Sequence, residues 1–151
     1  MGTIREEVEI NASPARVWSV VHGDVVNIPE WSDNLVSTEL VGSGKMRLGS
    51  QMRYVVKIPG GRTTTLVLRV DTYDKPSVCD GQIIEGPISG SWSWRYTELA
   101  PKSTNVVFDQ QLKIGGVLRF ASGVIERDVR SGVQRNLRDL KAYVEAGKGP
   151  G

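Results

Sequence analysis

The sequence has a single cysteine, Cys79, and a single histidine, His22. An internal disulfide is therefore excluded, no cysteine-based zinc site can form, and histidine-rich metal chemistry is not expected. Phosphate-binding loops are missing as well: no glycine-rich turn opens a helix, and Gly60-Gly61 reads as a hairpin turn. No metal and no cofactor are expected. No apolar run approaches the roughly 18 residues that a membrane helix needs, and Met1 to Glu9 is charged rather than signal-like. The expectation is a cytoplasmic chain with no membrane span. A strong charge of one sign is also lacking, with 19 basic against 17 acidic residues and a formal net charge of +2. Nucleic acid is not an expected partner.

What is present is an ordinary globular composition: 151 residues, 39% of them hydrophobic. A chain of this length buries roughly two thirds of its unfolded surface in one core, and no repeat or linker marks a second unit. The expected domain is residues 1–147, followed by a polar, disordered tail at 148–151.

Ile4, Glu6, Val8 and Ile10 alternate with Arg5, Glu7 and Glu9, which is the period of a strand with one face turned inward. Ser13 and Pro14 then supply a cap and a first helical position, with Val17, Trp18 and Val21 as the buried stripe. His22 closes this helix, and there it reads as a surface residue facing the negative helix end. Residues 24–31 read as a second short helix or turn. From 36 to 114 six strand-like segments follow: 38–42, 50–58, 63–73, 79–85, 90–99 and 104–114. Between them lie turn signals such as Pro59-Gly60-Gly61 and Gly86-Pro87. Past Gly115-Gly116 the period changes, because Ile125, Val129, Val133, Leu137, Leu140 and Val144 recur every three or four residues. This predicts one long amphipathic helix ending near Ala146-Gly147. The basic residues from Arg127 to Lys141 are interleaved with acids and read as its solvated face.

The expected architecture is α+β. About seven antiparallel strands form a curved sheet around the long C-terminal helix, with two short helices after the first strand. A single helix against a bent sheet leaves space between them, which the short helices can close at one mouth. Within this order, Ala12-Ser13-Pro14 with Val17-Trp18, the segment Ile28-Pro29-Glu30-Trp31, and Gly90 to Leu99 with its Trp-x-Tyr resemble the START-like, helix-grip superfamily. The polyketide cyclase/dehydrase and lipid-transport branch is the most similar, over about residues 3–146. The resemblance implies a cavity for a hydrophobic, polyketide- or lipid-like molecule, with cyclisation or dehydration of that molecule as the implied chemistry. A non-catalytic carrier and a partner-binding regulator are the alternatives. A homodimer is left open.

Residues two apart on a strand share a face, and the more apolar set normally faces inward. Those sets are Met52, Tyr54, Val56 and Ile58; Trp92, Trp94 and Tyr96; and Val106, Phe108, Gln110, Leu112 and Ile114. With Trp31 and Leu35 ahead of the sheet and Val129 and Val133 on the helix, they supply the candidate ligand contacts. Arg69 is the ambiguous residue. By hydrophobicity it points outward with Val67, Asp71 and Tyr73, away from Leu66, Leu68 and Val70. Through its distance before Gly86-Pro87 it resembles a pocket arginine of aromatase/cyclases, which would polarise a ligand carbonyl. The catalytic candidates are then Arg69 with Tyr73 or Tyr54 for proton transfer. Three positions depart from that pattern: Ile28 and Leu35 stand where aromatic or hydroxyl residues are expected, and Val67 where a serine is. Cys79 reads as a small core residue.

Overall fold

The computed structural model describes residues 2–150; Met1 and Gly151, the ends of the expected domain and tail, lie outside the described residues. The chain runs β1 (Gly2–Ile10), α1 (Pro14–His22), a 3-10 helix (Val25–Glu30), β2 (Leu35–Leu40), β3 (Gln51–Ile58), β4 (Arg62–Asp74), β5 (Val78–Glu85), β6 (Ile88–Ala100) and β7 (Ser103–Ile114). A 3-10 helix at Gly116–Ala121 then leads into α2 (Ser122–Glu145). This short helix fills a stretch where the sequence shows only a turn.

All seven strands form one antiparallel sheet in the order β1-β7-β6-β5-β4-β3-β2. The meander keeps sequential strands adjacent, and the N-terminal strand closes one edge by pairing with β7 from Gly2↔Leu112 to Ile10↔Thr104. Bends in the sheet fall at shifts of register between Leu35 and Ser37, Val67 and Leu68, Val70 and Thr72, and Glu98 and Ala100. Gly81, paired between Val70 and Trp92, lets β4 approach β5 at the third of these bends. A Cβ there would sit 1.7 Å from the Arg69 carbonyl oxygen and 2.9 Å from the Trp92 ring.

In α1, Ser13 accepts a hydrogen bond from Arg16 N at 3.2 Å and Pro14 occupies the first turn, as its sequence prescribes. The helix buries Val17, Trp18, Val20, Val21 and His22. In α2 the buried stripe is Ile125, Gly132, Val133, Leu137, Leu140 and Val144. Its basic residues do more than meet solvent. Arg130 donates to the Thr3 carbonyl, Arg135 to Asp33, and Lys141 to the Glu9 carbonyl. Those bonds tie the helix to β1 and to the loop before β2. Residues 148–150 lie beside α1, where Arg16 donates to the carbonyls of Lys148 and Pro150.

Candidate functional site

Between the concave face of the sheet and α2 lies a cavity of about 480 Å³, within the range of roughly 300–1,000 Å³ usual for small-molecule sites. Period-two alternation builds its walls. Met52, Tyr54 and Val56 come from β3, Leu66 and Leu68 from β4, Trp92 and Trp94 from β6, and Phe108, Gln110 and Leu112 from β7. Ile125, Val129, Val133 and Leu137 close it from α2, and Trp31 and Leu35 close it from the segment before and at the start of β2. Exposed or half-exposed polar residues (Asp33, Asn34, Lys57, Asp128, Arg135 and Asn136) share the lining and mark its mouth. There Arg135 Nε donates to both oxygens of Asp33 at 3.0 and 2.8 Å, and Asn136 donates to Asn34 at 2.9 Å. Those hydrogen bonds to Asp33 raise the Arg135 pKa.

Of the candidate ligand contacts, all lie at this wall except Val106, Ile114 and Tyr96; Val106 is fully buried, and Tyr96, 5% exposed, sits behind the wall. Of the three candidate catalytic residues, Tyr54 alone lines the cavity. Its hydroxyl reaches only Met52 Sδ, at 3.8 Å, and burial pushes its pKa well above that of a free phenol. Arg69 stands on the convex face, its side chain 44% exposed, with Nε and Nη2 donating to Asp71 at 2.6 and 3.3 Å. Tyr73 packs edge-on against Trp18, 5.3 Å between ring centroids, outside the cavity lining. The irregularity between Val70 and Thr72 separates the two, because one extra residue in β4 reverses which parity faces inward. The structure therefore does not bring Arg69, Tyr73 and Tyr54 together.

His22 is the residue that sequence reasoning misplaces. It is 4% exposed rather than on the surface, it lines the cavity, and its Nε2 is 2.8 Å from the Tyr96 hydroxyl. Its place could have been read from the spacing, since position 22 lies four residues after Trp18 and shares its helix face. The ring is held by Trp18 at 4.6 Å, Tyr96 at 5.7 Å and Trp94 at 6.0 Å between centroids. Burial lowers its pKa to about 3, so the imidazole is neutral at physiological pH. Trp94 joins this group to the cavity wall, 4.8 Å from Phe108 and 6.2 Å from Trp31 between centroids. Cys79 is fully buried, with its thiol pushed up to about 12 by the same desolvation, which makes it core and not a nucleophile.

A long helix gripped by a seven-stranded sheet around an apolar cavity defines a START-like, helix-grip ligand-binding fold. The model of the polyketide cyclase/dehydrase and lipid transport family matches residues 1–145, and the chain belongs to that family. Among solved structures, a protein from Thermus thermophilus superposes with a TM-score of 0.81 at 17% identity, covering 97% of this chain and 99% of its own. A START superfamily protein from Mycobacterium smegmatis gives 0.80 at 17% identity, covering 97% and 99%. The Zhui aromatase/cyclase from Streptomyces sp. R1128 gives 0.78 at 19%, covering 95% and 93%. At these identities the likeness is one of fold alone. A comparison with curated proteins finds no match. No helix among the described residues is long and apolar enough to cross a membrane.

Proposed function

We propose that this protein binds a hydrophobic small molecule, polyketide- or lipid-like, in the cavity between its sheet and α2. The observation that carries the reading is the cavity itself: about 480 Å³ walled by aliphatic and aromatic side chains at a fold's usual binding place. A well-packed core leaves few voids larger than a water molecule, so space of this size is not a by-product of folding. Burial of apolar ligand surface supplies the affinity at about 25 cal/mol per Å² before ordering costs. This reading keeps the expectation of a cytoplasmic protein. The test is titration with Nile red, a neutral apolar dye, followed by its own emission and by quenching of the cavity tryptophans. Binding should be saturable and should weaken at least tenfold when Val129→Trp fills the space. Absence of saturable binding, or equal affinity of the filled variant, would overturn the reading.

A second reading is catalysis of cyclisation or dehydration, favoured by the Tyr54 hydroxyl at the cavity wall. With its pKa raised, Tyr54 stays a neutral hydrogen-bond donor to a ligand carbonyl and does not serve as a base. Arg69, turned to solvent and paired with Asp71, supplies no electrophilic group to this cavity.

A further inference from the structure

We infer that the inner end of the cavity, formed by His22 with Tyr96 and Trp94, is an anchor for an uncharged oxygen group, a hydroxyl or carbonyl, on an otherwise apolar ligand. This rests on the cavity-binding reading and names the ligand chemistry that the same cavity selects.

The first observation is an unused ring nitrogen. His22 Nε2 is engaged with the Tyr96 hydroxyl, and Nδ1 has no hydrogen-bond partner among the described residues. Ser93 Oγ and Asn136 Oδ1 are the only side-chain polar atoms there that are both sealed off and unpartnered. Nδ1 is not among these sealed atoms, and it belongs to a residue that is 4% exposed and lines the cavity. A polar atom with no protein partner at a cavity wall is free to take a hydrogen bond from a ligand placed there. Gln110, paired across the strands with Trp92, repeats the pattern on the sheet, since its amide also lacks a protein partner among the described residues.

The second observation concerns what the pair can offer. If the Tyr96 hydroxyl donates to Nε2, then Nδ1 carries the proton and donates to a carbonyl or hydroxyl oxygen. With the opposite tautomer Nε2 donates to Tyr96, and Nδ1 accepts from a ligand hydroxyl. Either arrangement serves a neutral oxygen group.

The third observation excludes anions. The charged lining residues Asp33, Lys57, Asp128 and Arg135 belong to the mouth, where Arg135 is already held by Asp33. The rings packed against His22 are those of Trp18, Trp94 and Tyr96, and among the described residues no charged side chain pairs with it. A carboxylate or phosphate there would be a buried, unpaired charge.

The test is a series sharing one ring system: naphthalene, 2-naphthol and 2-naphthoate, titrated at pH 7.5 into the full chain and followed by ligand fluorescence. 2-Naphthol should bind about tenfold tighter than naphthalene, the return on one buried hydrogen bond, and 2-naphthoate at least tenfold weaker than 2-naphthol. In His22→Leu the affinity ratio of 2-naphthol to naphthalene should fall to about one, and a ratio unchanged in a folded variant overturns the role of His22. Equal binding of naphthalene and 2-naphthol to the unaltered protein overturns the anchor whether or not the variant folds, and 2-naphthoate binding as tightly as 2-naphthol overturns the exclusion of charge. Loss of all three ligands would sink the cavity-binding reading, and the anchor with it.

Discussion

At the inner end of the cavity Trp18, His22, Trp94 and Tyr96 interlock at centroid separations of 4.6 to 6.3 Å, with no charged side chain among them. At the mouth Asp33, Lys57, Asp128 and Arg135 keep contact with solvent, and the pairing of Arg135 with Asp33 bridges α2 to the loop ahead of β2. Desolvation explains the division. The inner end is buried, so it admits polar groups in neutral form, whereas the mouth keeps its ions because solvent remains within reach. Stability should therefore be concentrated at the inner end and salt sensitivity at the mouth.

The largest expected effect is at the inner end. Trp18 is 1% exposed, and Trp18→Ala should cost about 3–5 kcal/mol in urea unfolding, since it empties a packed site that cannot fully collapse. A cost no larger than that of breaking the mouth ion pair would remove the contrast.

The next effect is on pH dependence. Unfolded His22 takes a proton near the ordinary 6.5 and the folded residue only near 3. Between those values the unfolded chain binds the extra proton, so stability falls as pH is lowered, by up to about 1.4 kcal/mol per pH unit. Above 6.5 the site is neutral in both states and contributes no slope. The rings facing His22 are those of Trp18 of α1 and Trp94 and Tyr96 of β6, and no carboxylate among the described residues pairs with it. Urea unfolding at intervals from about pH 7 to pH 5, above the range in which ordinary carboxylates titrate, should show the slope, and His22→Gln should flatten it. An unchanged slope in the variant would mean that another group sets it.

At the mouth, Arg135→Ala should cost only about 0.2–1 kcal/mol, because the pair it breaks is partly solvated. The difference should shrink in about 1 M salt, where screening acts within roughly 3 Å. The smallest effect is expected at Arg69, outside both regions. Arg69→Ala should leave the unfolding midpoint and Nile red affinity unchanged, and a loss of binding there would return this residue to the site.

Elements and faces were legible in the sequence because they depend on local periods. Alternation in β3, β6 and β7 names the cavity-facing residues from Met52 to Leu112, and the stripe from Ile125 to Val144 names the inner face of α2. The early start of β2 at Leu35 was less legible, for pairing of Leu35 with Val56 across a register shift decides it. Tyr96 shows the limit of alternation. It shares a face with Trp92 and Trp94, but that face runs past the end of the cavity, where the hydroxyl meets His22.

What the sequence by itself determined is the order of strands and helices and the apolar character of the cavity wall, since each follows from side-chain periodicity and turn chemistry within short windows; the helix-grip arrangement was implied by the resemblance that this order carries. Only the tertiary structure decided the rest. One extra residue at the bend between Val70 and Thr72 puts Arg69 and Tyr73 on opposite faces despite their common parity. Packing of α1 against β6 turns a helix-terminal histidine into a buried, neutral group at the cavity's inner end. Neither a bulge nor the docking of one element on another leaves a period in the chain. Both are set by contacts between residues far apart in sequence, such as His22 and Tyr96.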